Sequence, residues 1–481
     1  MKTLKEFALE KGGVWRYFDL VCSTPHPSGH EKKLVDLLIE EAGKHGLSAR
    51  TDDFGNLRID RKGDPGFEDM PCLILQAHLD MVPQKAPGST FNFLTDPLNV
   101  VVTGQKIHCS GETTLGADDG IGVALAMDLI TDPEIKCGPL AALFTREEEI
   151  GLNGARAVSA EFLQGAYLLN LDSGCDSCFY AGCAGGVENF GFFTPEYLPA
   201  PAGQAVKIEV KNLDGGHSGA DIHLKRGNAH KFLAFFLDKL QEKIAVSSFE
   251  GGSVVNAISR ESAALGVLQT SLEDAQESAA ETAFELAKSF NAPAGFGFEI
   301  TPCATPEKVW TSEFQCRFLT MLNTLPDGVF EFSEELDCVS SSCNVGLVLP
   351  TSDGKIKVGC HPRAFDDEKW QKISLDNKEH FEKAGGEFAE NGPYPGWKFK
   401  ADSKLLAASQ KACEKVYGSA LPVRAIHAGL EPGMFTPLAP GLEMLSFAPA
   451  DHHCHTTEEY LETDSAEKVA LWLRELLKVL R

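Results

Sequence analysis

Residues 72–80 read Cys72-Leu-Ile-Leu-Gln-Ala-His78-Leu-Asp80, a short apolar run that ends on a histidine and an aspartate. Such a run, too short for a helix and closed by polar groups, is the pattern of a strand buried on both faces. The construction returns twice: Leu140-Ala-Ala-Leu-Phe-Thr145 runs into Arg-Glu147-Glu148-Glu149-Ile-Gly151, and Tyr167-Leu-Leu-Asn-Leu171 runs into Asp172-Ser173-Gly174. Glu31–Glu41 reads as an amphipathic helix and Gly120–Ile130 as another, so strands and helices alternate and an α/β layered domain is expected. An open sheet of that kind gathers its ligands just beyond the carboxyl ends of its strands. Of the acidic or histidine-bearing segments from His78 to His455, four sit at such an end or at the start of a helix.

From about Gly185 the texture changes. Ala205-Val-Lys-Ile-Glu-Val-Lys alternates as a strand, Ala229–Ile244 and Leu272–Phe290 read as helices, and Gly295–Thr301 reads as a strand with one face in water. Strands with one wet face predict a smaller α+β domain inserted into the first. The turn-rich Asn391-Gly-Pro-Tyr-Pro-Gly-Trp397 reads as the return crossing, followed by helices at Ser403–Tyr417 and Ser465–Leu480. The expected division is therefore a discontinuous first domain, 1–185 with 395–481, and an inserted domain, 186–394. A chain of 481 residues exceeds the roughly 250 to 300 at which single cores stop growing, which agrees with two domains.

The formal charge of −25 repels phosphate backbones and anionic surfaces, so nucleic acid and membrane are poor partners and a small molecule is expected. The first residues carry charges too often for a signal-peptide core, and no apolar run is long enough to span a bilayer. A cytoplasmic location is the expectation. The 14 cysteines are scattered as reduced thiols rather than as a disulfide framework. Cys175 and Cys178 form a lone C-x-x-C, read as incidental because no second pair with zinc spacing follows.

In an extended segment His78 and Asp80 point to the same side, so the carboxylate can take the imidazole's second N–H. Asp118, within Gly116-Ala-Asp118-Asp119-Gly120, opens a turn into a helix, where it can bridge two cations or serve as a plain N-cap. Three adjacent glutamates at a strand end are either an exposed acidic run or a site where one carboxylate ligates while its neighbour acts as a general base. Asp172 ends a strand, and His455, with His452 and His453 competing, precedes the last helix. Five oxygen or nitrogen donors with only two imidazoles fit Zn²⁺ or Mn²⁺ better than a thiolate site or an all-oxygen Ca²⁺ cage.

With these residues in view, the chain resembles the co-catalytic di-zinc peptidase family that includes aminoacylases, carboxypeptidases, tripeptidases and dipeptidases. The aminoacyl-histidine (Xaa-His, carnosine-splitting) dipeptidase branch is the nearest. The resemblance rests on Gln76-Ala-His-Leu-Asp-Met-Val-Pro-Gln84, Thr114-Leu-Gly-Ala-Asp-Asp-Gly120, Gly182-Cys-Ala-Gly-Gly186, Gly215-Gly-His-Ser-Gly-Ala-Asp-Ile-His223 and His427-Ala-Gly-Leu-Glu431. It implies a three-layer zinc-peptidase catalytic domain with an inserted α+β lid and dimerisation domain. It also implies two divalent ions per subunit, Zn²⁺ or else Mn²⁺ or Co²⁺, and a homodimer. Asp118 would bridge the ions, with His78 and Asp172 on one and Glu149 and His455 on the other. Glu148 would be the general base and Asp80 the residue that orients His78. His217, Asn256, Arg363 and Glu431 would lie on the substrate side, His217 stabilising the oxyanion and Arg363 clamping a terminal carboxylate.

The chain departs from the family's pattern in three places. Asp119 stands where an asparagine is usual and adds a negative charge, Arg363 lies in Cys360-His-Pro-Arg-Ala-Phe, and Asp451-His-His-Cys-His455 replaces a single histidine. The expected activity is hydrolysis of Xaa-His dipeptides by a metal-activated water. A di-zinc aminoacylase or tripeptidase of the same family, or an inactive metal-binding relative, stands as the alternative. Nucleotide binding is disfavoured, since the chain has no G-x-x-x-x-G-K-[ST] motif.

Overall fold

The buried apolar runs become the middle of one sheet in the computed structural model, which describes residues 2–480. In chain order its strands are β1 (Ser48–Thr51), β2 (Leu57–Arg61), β3 (Leu73–His78), β4 (Leu140–Thr145), β5 (Tyr167–Asn170), β6 (Phe179–Cys183), β7 (Val423–Ile426) and β8 (Glu443–Ser446), lying side by side as β1-β2-β4-β3-β5-β8-β6-β7. The central four, β4, β3, β5 and β8, run parallel, and every residue of β3 and β4 is buried. Strands covered on both faces can dispense with polar alternation, which is why these segments read as unbroken apolar runs.

Register places the functional ends together. His78 pairs with Thr145, Gln76 with Asn170 and Asn170 with Ser446, so the carboxyl ends of β3, β4, β5 and β8 share one rim. The helices that pack with this sheet include α1 (Lys32–Lys44), α2 (Ala117–Thr131), α3 (Lys404–Val416) and α4 (Thr463–Val479). Nearly every residue of α2 is buried, as expected of a helix that is apolar all round. The α4 residue Trp472 packs its ring edge-on against Phe447 at 4.6 Å and tilted against Phe179 at 5.6 Å, and its indole N–H donates to the Ser409 carbonyl. A hairpin near the end of the chain pairs Asp451 with Leu461 and His452 with Tyr460, and His455 sits in its turn.

By internal contacts this unit comprises residues 2–182, 397–425 and 430–480, and a second unit comprises residues 183–396 and 426–429. The segment Ile426–Gly429, which sequence alone leaves with the first domain, clusters with the second. The second unit is built on an antiparallel sheet of eleven strands running from Gly297–Pro302 at one edge to Gly328–Ser333 at the other. Helices Ala229–Leu240, Leu272–Leu286, Ser312–Thr324 and Asp367–Lys383 accompany it, and its core includes Phe193, Phe236, Trp310, Phe318 and Phe381.

Several boundaries move from their sequence expectations. The helix expected to reach Ile244 stops at Leu240, because Ile244 opens a strand that pairs with Ser262–Leu268. The helix from Leu272 ends at Leu286 rather than Phe290, whose ring packs at 4.8 Å on Phe232. Asn391–Tyr394, expected in the return turn, belong to strand Glu387–Tyr394, held along Gly185–Phe193. Pairing partners far along the chain decided these ends, and local composition does not report them.

Candidate active site

The rim collects five of the predicted side chains. His78, the last residue of β3, is fully buried; its Nδ1 lies 3.0 Å from the Asp80 main-chain carbonyl, which leaves Nε2 pointing away from the strand. That Nε2 stands 3.0 Å from Asp118 Oδ1 and 4.0 Å from Asp172 Oδ2. The other Asp118 oxygen, Oδ2, stands 3.2 Å from His455 Nε2, which is itself 2.9 Å from Glu149 Oε1. Each oxygen of one carboxylate thus faces a different imidazole. His452 instead meets Glu462 at 2.9 Å, and His453 lies against the Tyr460 ring, so His455 is the histidine of its cluster brought to Asp118.

Asp118 is presented by backbone that leaves the helical course. Gly116, with φ +67, turns the chain into α2, and a Cβ there would meet Met81 Sδ at 3.1 Å. Asp118 and Asp119 are joined by a cis peptide bond and have non-helical dihedrals. Glu459 secures the turn, its carboxylate accepting N–H bonds from Leu115, Gly116 and Ala117 at 2.8, 3.2 and 2.8 Å. Glu459 is not among the residues that the sequence pattern singles out.

Asp80 has more partners than expected. The sequence pattern has its carboxylate orient His78, yet the imidazole's nearest partner is the Asp80 carbonyl, with carboxylate Oδ1 at 3.5 Å. The carboxylate accepts the backbone N–H groups of Glu148 at 2.9 Å and Glu149 at 3.2 Å, and the Ser28 hydroxyl at 2.7 Å. It therefore ties the glutamate loop to β3. Arg146 anchors the same loop from below, donating from Nε and Nη2 to the fully buried Glu31 at 2.9 and 2.7 Å.

The three consecutive glutamates are divided by this geometry. Glu147 accepts from Asn153 Nδ2 at 3.1 Å, Glu149 turns toward His455, and the Glu148 carboxylate makes no hydrogen bond among the described residues. Glu431, expected on the substrate side, is fully buried under the rim, where its Oε2 accepts from Gln76 Nε2 and from Thr145 Oγ1, the latter at 2.9 Å. In the second unit, His217 Nδ1 accepts backbone N–H bonds from Gly219 at 3.3 Å and Ala220 at 3.1 Å. An acceptor at Nδ1 puts the neutral ring's proton on Nε2. Arg363 is buried and donates to Tyr394 Oη at 2.7 Å, while Asn256 is exposed and its carbonyl accepts from the Ser218 N–H.

The electrostatics follow from crowding acids in a dry place. Burial pushes the carboxyls of Glu148, Asp172 and Asp119 well above their usual range, and neighbouring carboxylates add to it. Burial opposes charge at His78 and Asp118 as well, but their mutual hydrogen bond, with His455 also on Asp118, raises the imidazole and lowers the carboxyl. The neighbouring carboxylates of Asp118 and Glu149 lift His455 to about 10, and burial lifts Glu431 and Glu459 to about 7. Asp119 accepts N–H bonds from His78 and Gly122, both at 3.2 Å. Burial pushes it toward its neutral form, which offsets the extra negative charge that the sequence leads one to expect.

These residues suit divalent cations. His78, Asp118 and Glu149 offer donor atoms all within 4.8 Å of one another. Donors around a tetrahedral zinc at about 2.0–2.2 Å are themselves about 3.3 Å apart, and the contacts here run from 2.9 to 4.0 Å. Glu149 Oε1 is buried without a hydrogen-bond partner although His455 Nε2 is near, as befits two atoms aimed at a common third.

Residues 74–479 match Peptidase family M20/M25/M40. The chain is 32% identical over 471 residues to the cytosol non-specific dipeptidase of Escherichia coli, covering 97% of each. Its fold is similar to the crystal structure of aminoacylhistidine dipeptidase from Vibrio alginolyticus, with a TM-score of 0.88, 35% identity and coverage of 97% and 96%. An aminopeptidase PepT from Bacillus cereus, at TM-score 0.57 and 16% identity over 97% and 98%, shares the fold. No helix among the described residues is long and apolar enough to cross a membrane.

A carboxyl raised in the folded state contributes stability below its unfolded pKa of about 4 and loses it as pH rises through the folded value. Protein stripped with a chelator is therefore most burdened by Asp172 and Glu148 near neutral pH, and bound cations also displace the protons of His78 and His455 there. Saturating Zn²⁺ or Mn²⁺ is expected to raise the melting temperature by several degrees at pH 7.5, from about 3 kcal/mol at a hundredfold excess over Kd, and clearly less at pH 5.5. Equal shifts at both pH values, or none, would exclude a cation cage on this rim.

Proposed function

The chain belongs to peptidase family M20/M25/M40 and is a metal-dependent dipeptidase; we propose that it hydrolyses Xaa-His dipeptides, carnosine-like ones included, at the rim of its parallel sheet. The observation that carries this reading is the Asp118 carboxylate with one oxygen toward His78 and the other toward His455. His78 and Asp172 would hold one divalent ion and His455 and Glu149 a second, with Asp118 shared; Zn²⁺ is our choice, Mn²⁺ or Co²⁺ the substitutes. When bound, such ions polarise a carbonyl and lower the pKa of water to about 7.

The protein's own groups supply the proton movements. Glu148 is the residue we assign as general base, since its carboxylate is uncommitted while its backbone N–H is pinned to Asp80. Burial raises its pKa toward working pH, where a base both accepts a proton from the attacking water and returns it to the leaving nitrogen. Asp80 positions His78 and the glutamate loop together. His217, with its proton on Nε2, is assigned as the donor to the developing oxyanion. Arg363 is assigned to the terminal carboxylate, Asn256 to the substrate side, and the buried Glu431 to support of the strand ends.

We further propose a homodimer formed through the second unit, which would also act as a lid. Its terminal strand Gly328–Ser333 exposes Val329, Phe330 and Phe332, an apolar edge of the kind that proteins otherwise cover. The name of the E. coli relative supports a cytoplasmic setting. That same name, a non-specific dipeptidase, favours a broader dipeptide range as the second reading.

Glu148→Gln is expected to lower kcat by about 10²–10⁴ with bound metal unchanged by elemental analysis; full turnover in that variant removes Glu148 from the chemistry. On a panel of β-alanyl-histidine, other Xaa-His dipeptides, dipeptides lacking histidine, tripeptides and N-acetyl amino acids, kcat/KM should be highest for the Xaa-His group. Equal rates across all dipeptides would establish the broader reading, and cleavage of N-acetyl amino acids alone would make the protein an aminoacylase. Sedimentation velocity should give twice the mass of the chain, and Phe330→Glu with Phe332→Glu should shift it to monomer; a monomeric native protein would refute the dimer.

A further inference from the structure

Cys175 and Cys178 lie in the segment between β5 and β6, just beyond Asp172. Their sulfurs are 3.4 Å apart, and Cys175 Sγ is 3.2 Å from the Ser177 hydroxyl. Cys175 is partly open to solvent while Cys178 is buried. The backbone around them is held: the Cys175 carbonyl accepts the Ser173 hydroxyl at 3.2 Å and the Ala448 N–H at 3.4 Å. Gly174, at φ +57, packs so closely that a Cβ would stand 2.4 Å from Asp451 Oδ1. Tyr180 and Arg424 are also neighbours of Cys178.

Among the other free cysteines, Cys343 and Cys360 also interact with each other, but both are buried in the core of the second unit. Cys303 and Cys316 are reachable from solvent, yet no second sulfur stands beside either among the described contacts. Among the described residues, a reachable sulfur stands next to a sheltered one at Cys175 and Cys178. That is the arrangement of an attacking and a resolving thiol.

We propose that Cys175 and Cys178 form a reversible dithiol–disulfide site that exchanges with small disulfides of the glutathione class, Cys175 attacking and Cys178 resolving. The Cys175 thiolate attacks one sulfur of oxidised glutathione, whose S–S bond breaks to release one glutathione thiolate. A mixed disulfide on Cys175 remains. Cys178 gives its proton to solvent and attacks Cys175 Sγ, expelling the second glutathione thiolate. Two cysteine thiols are oxidised by two electrons in all, and one oxidised glutathione becomes two reduced ones. Closing the pair needs the sulfurs to approach from their present separation to about 2.0 Å, within the reach of side-chain rotation. The hydrogen bond from Cys178, aided by Ser177, holds the Cys175 thiol at about 5, so the attacking form is present at neutral pH, whereas the same contact and burial drive Cys178 upward.

The test uses the metal-loaded protein equilibrated in glutathione buffers, quenched with acid, alkylated and read by peptide mass spectrometry. A Cys175–Cys178 disulfide should form in more than half the molecules under excess oxidised glutathione and disappear under excess reduced glutathione. Cys178→Ser should keep one glutathione on Cys175, and Cys175→Ser should carry none on Cys178. The wild-type measurement stands by itself should either variant fold poorly. The proposal is overturned if no such disulfide forms while exposed Cys316 becomes glutathionylated, or if Cys175→Ser accumulates glutathione on Cys178.

Discussion

Four carboxylates from three stretches of chain, Asp118, Glu148, Glu149 and Asp172, converge on one sheet rim with only two imidazoles among them. Two like charges 4 Å apart repel by about 4 kcal/mol at an effective dielectric of 20, so the fold holds them only by supplying opposing forces. Backbone N–H groups provide part of it indirectly, by pinning the segments that carry these carboxylates. Asp80 takes two from the glutamate loop, Glu459 takes three from the turn before Asp118, and Asp119 takes one from His78. What remains unbalanced is the set of atoms facing one another across the gap, and cations are the natural complement.

This balance explains why β3, β4, β5 and β8 are parallel and in register. A parallel arrangement delivers every carboxyl end to one side, and the register of His78 with Thr145 and of Gln76 with Asn170 keeps successive ligands at one height. Beneath the rim, Gln76, Thr145 and Glu431 form a buried polar layer, in which Gln76 also takes a hydrogen bond from Asn170. Buried hydrogen bonds of this kind favour one geometry over several.

The apolar strands, their order with the helices, and the acidic ends were all visible in local pattern, because burial on both faces and strand length are properties of a few adjacent residues. His455 was not: local pattern left it level with His452 and His453, and the family resemblance singled it out. What escaped depends on distance along the chain. Glu459 supports Leu115 across 344 positions, and Ser28 reaches Asp80 across 52. The hairpin of Asp451–His452 with Tyr460–Glu462 has few apolar residues to announce it. Asp119 was read by its formal charge, whereas its protonation is decided by the burial of α2. The C-x-x-C pair looked incidental because spacing alone does not tell whether two sulfurs face each other.

The two halves of the cage are held by different means. His78 and Asp172 stand at or just past the ends of regular strands, with His78 fully buried. Glu149 and His455 come from irregular segments in which Glu147, His453 and His455 adopt positive φ of 54°, 57° and 64°. A non-glycine residue in that region costs on the order of 1 kcal/mol or more and persists only where its surroundings hold it. They do so here: Glu31 accepts the Glu147 N–H, Asn153 binds its carboxylate, and the His453 carbonyl accepts both the N–H and the hydroxyl of Thr456. Backbone strain therefore gathers on the half whose imidazole is 49% exposed, while the buried half is unstrained. A regular strand end can present a side chain only along its own direction. Bringing a second imidazole to the far oxygen of Asp118 needs a turn that regular structure does not supply, and the left-handed residues of the hairpin provide it.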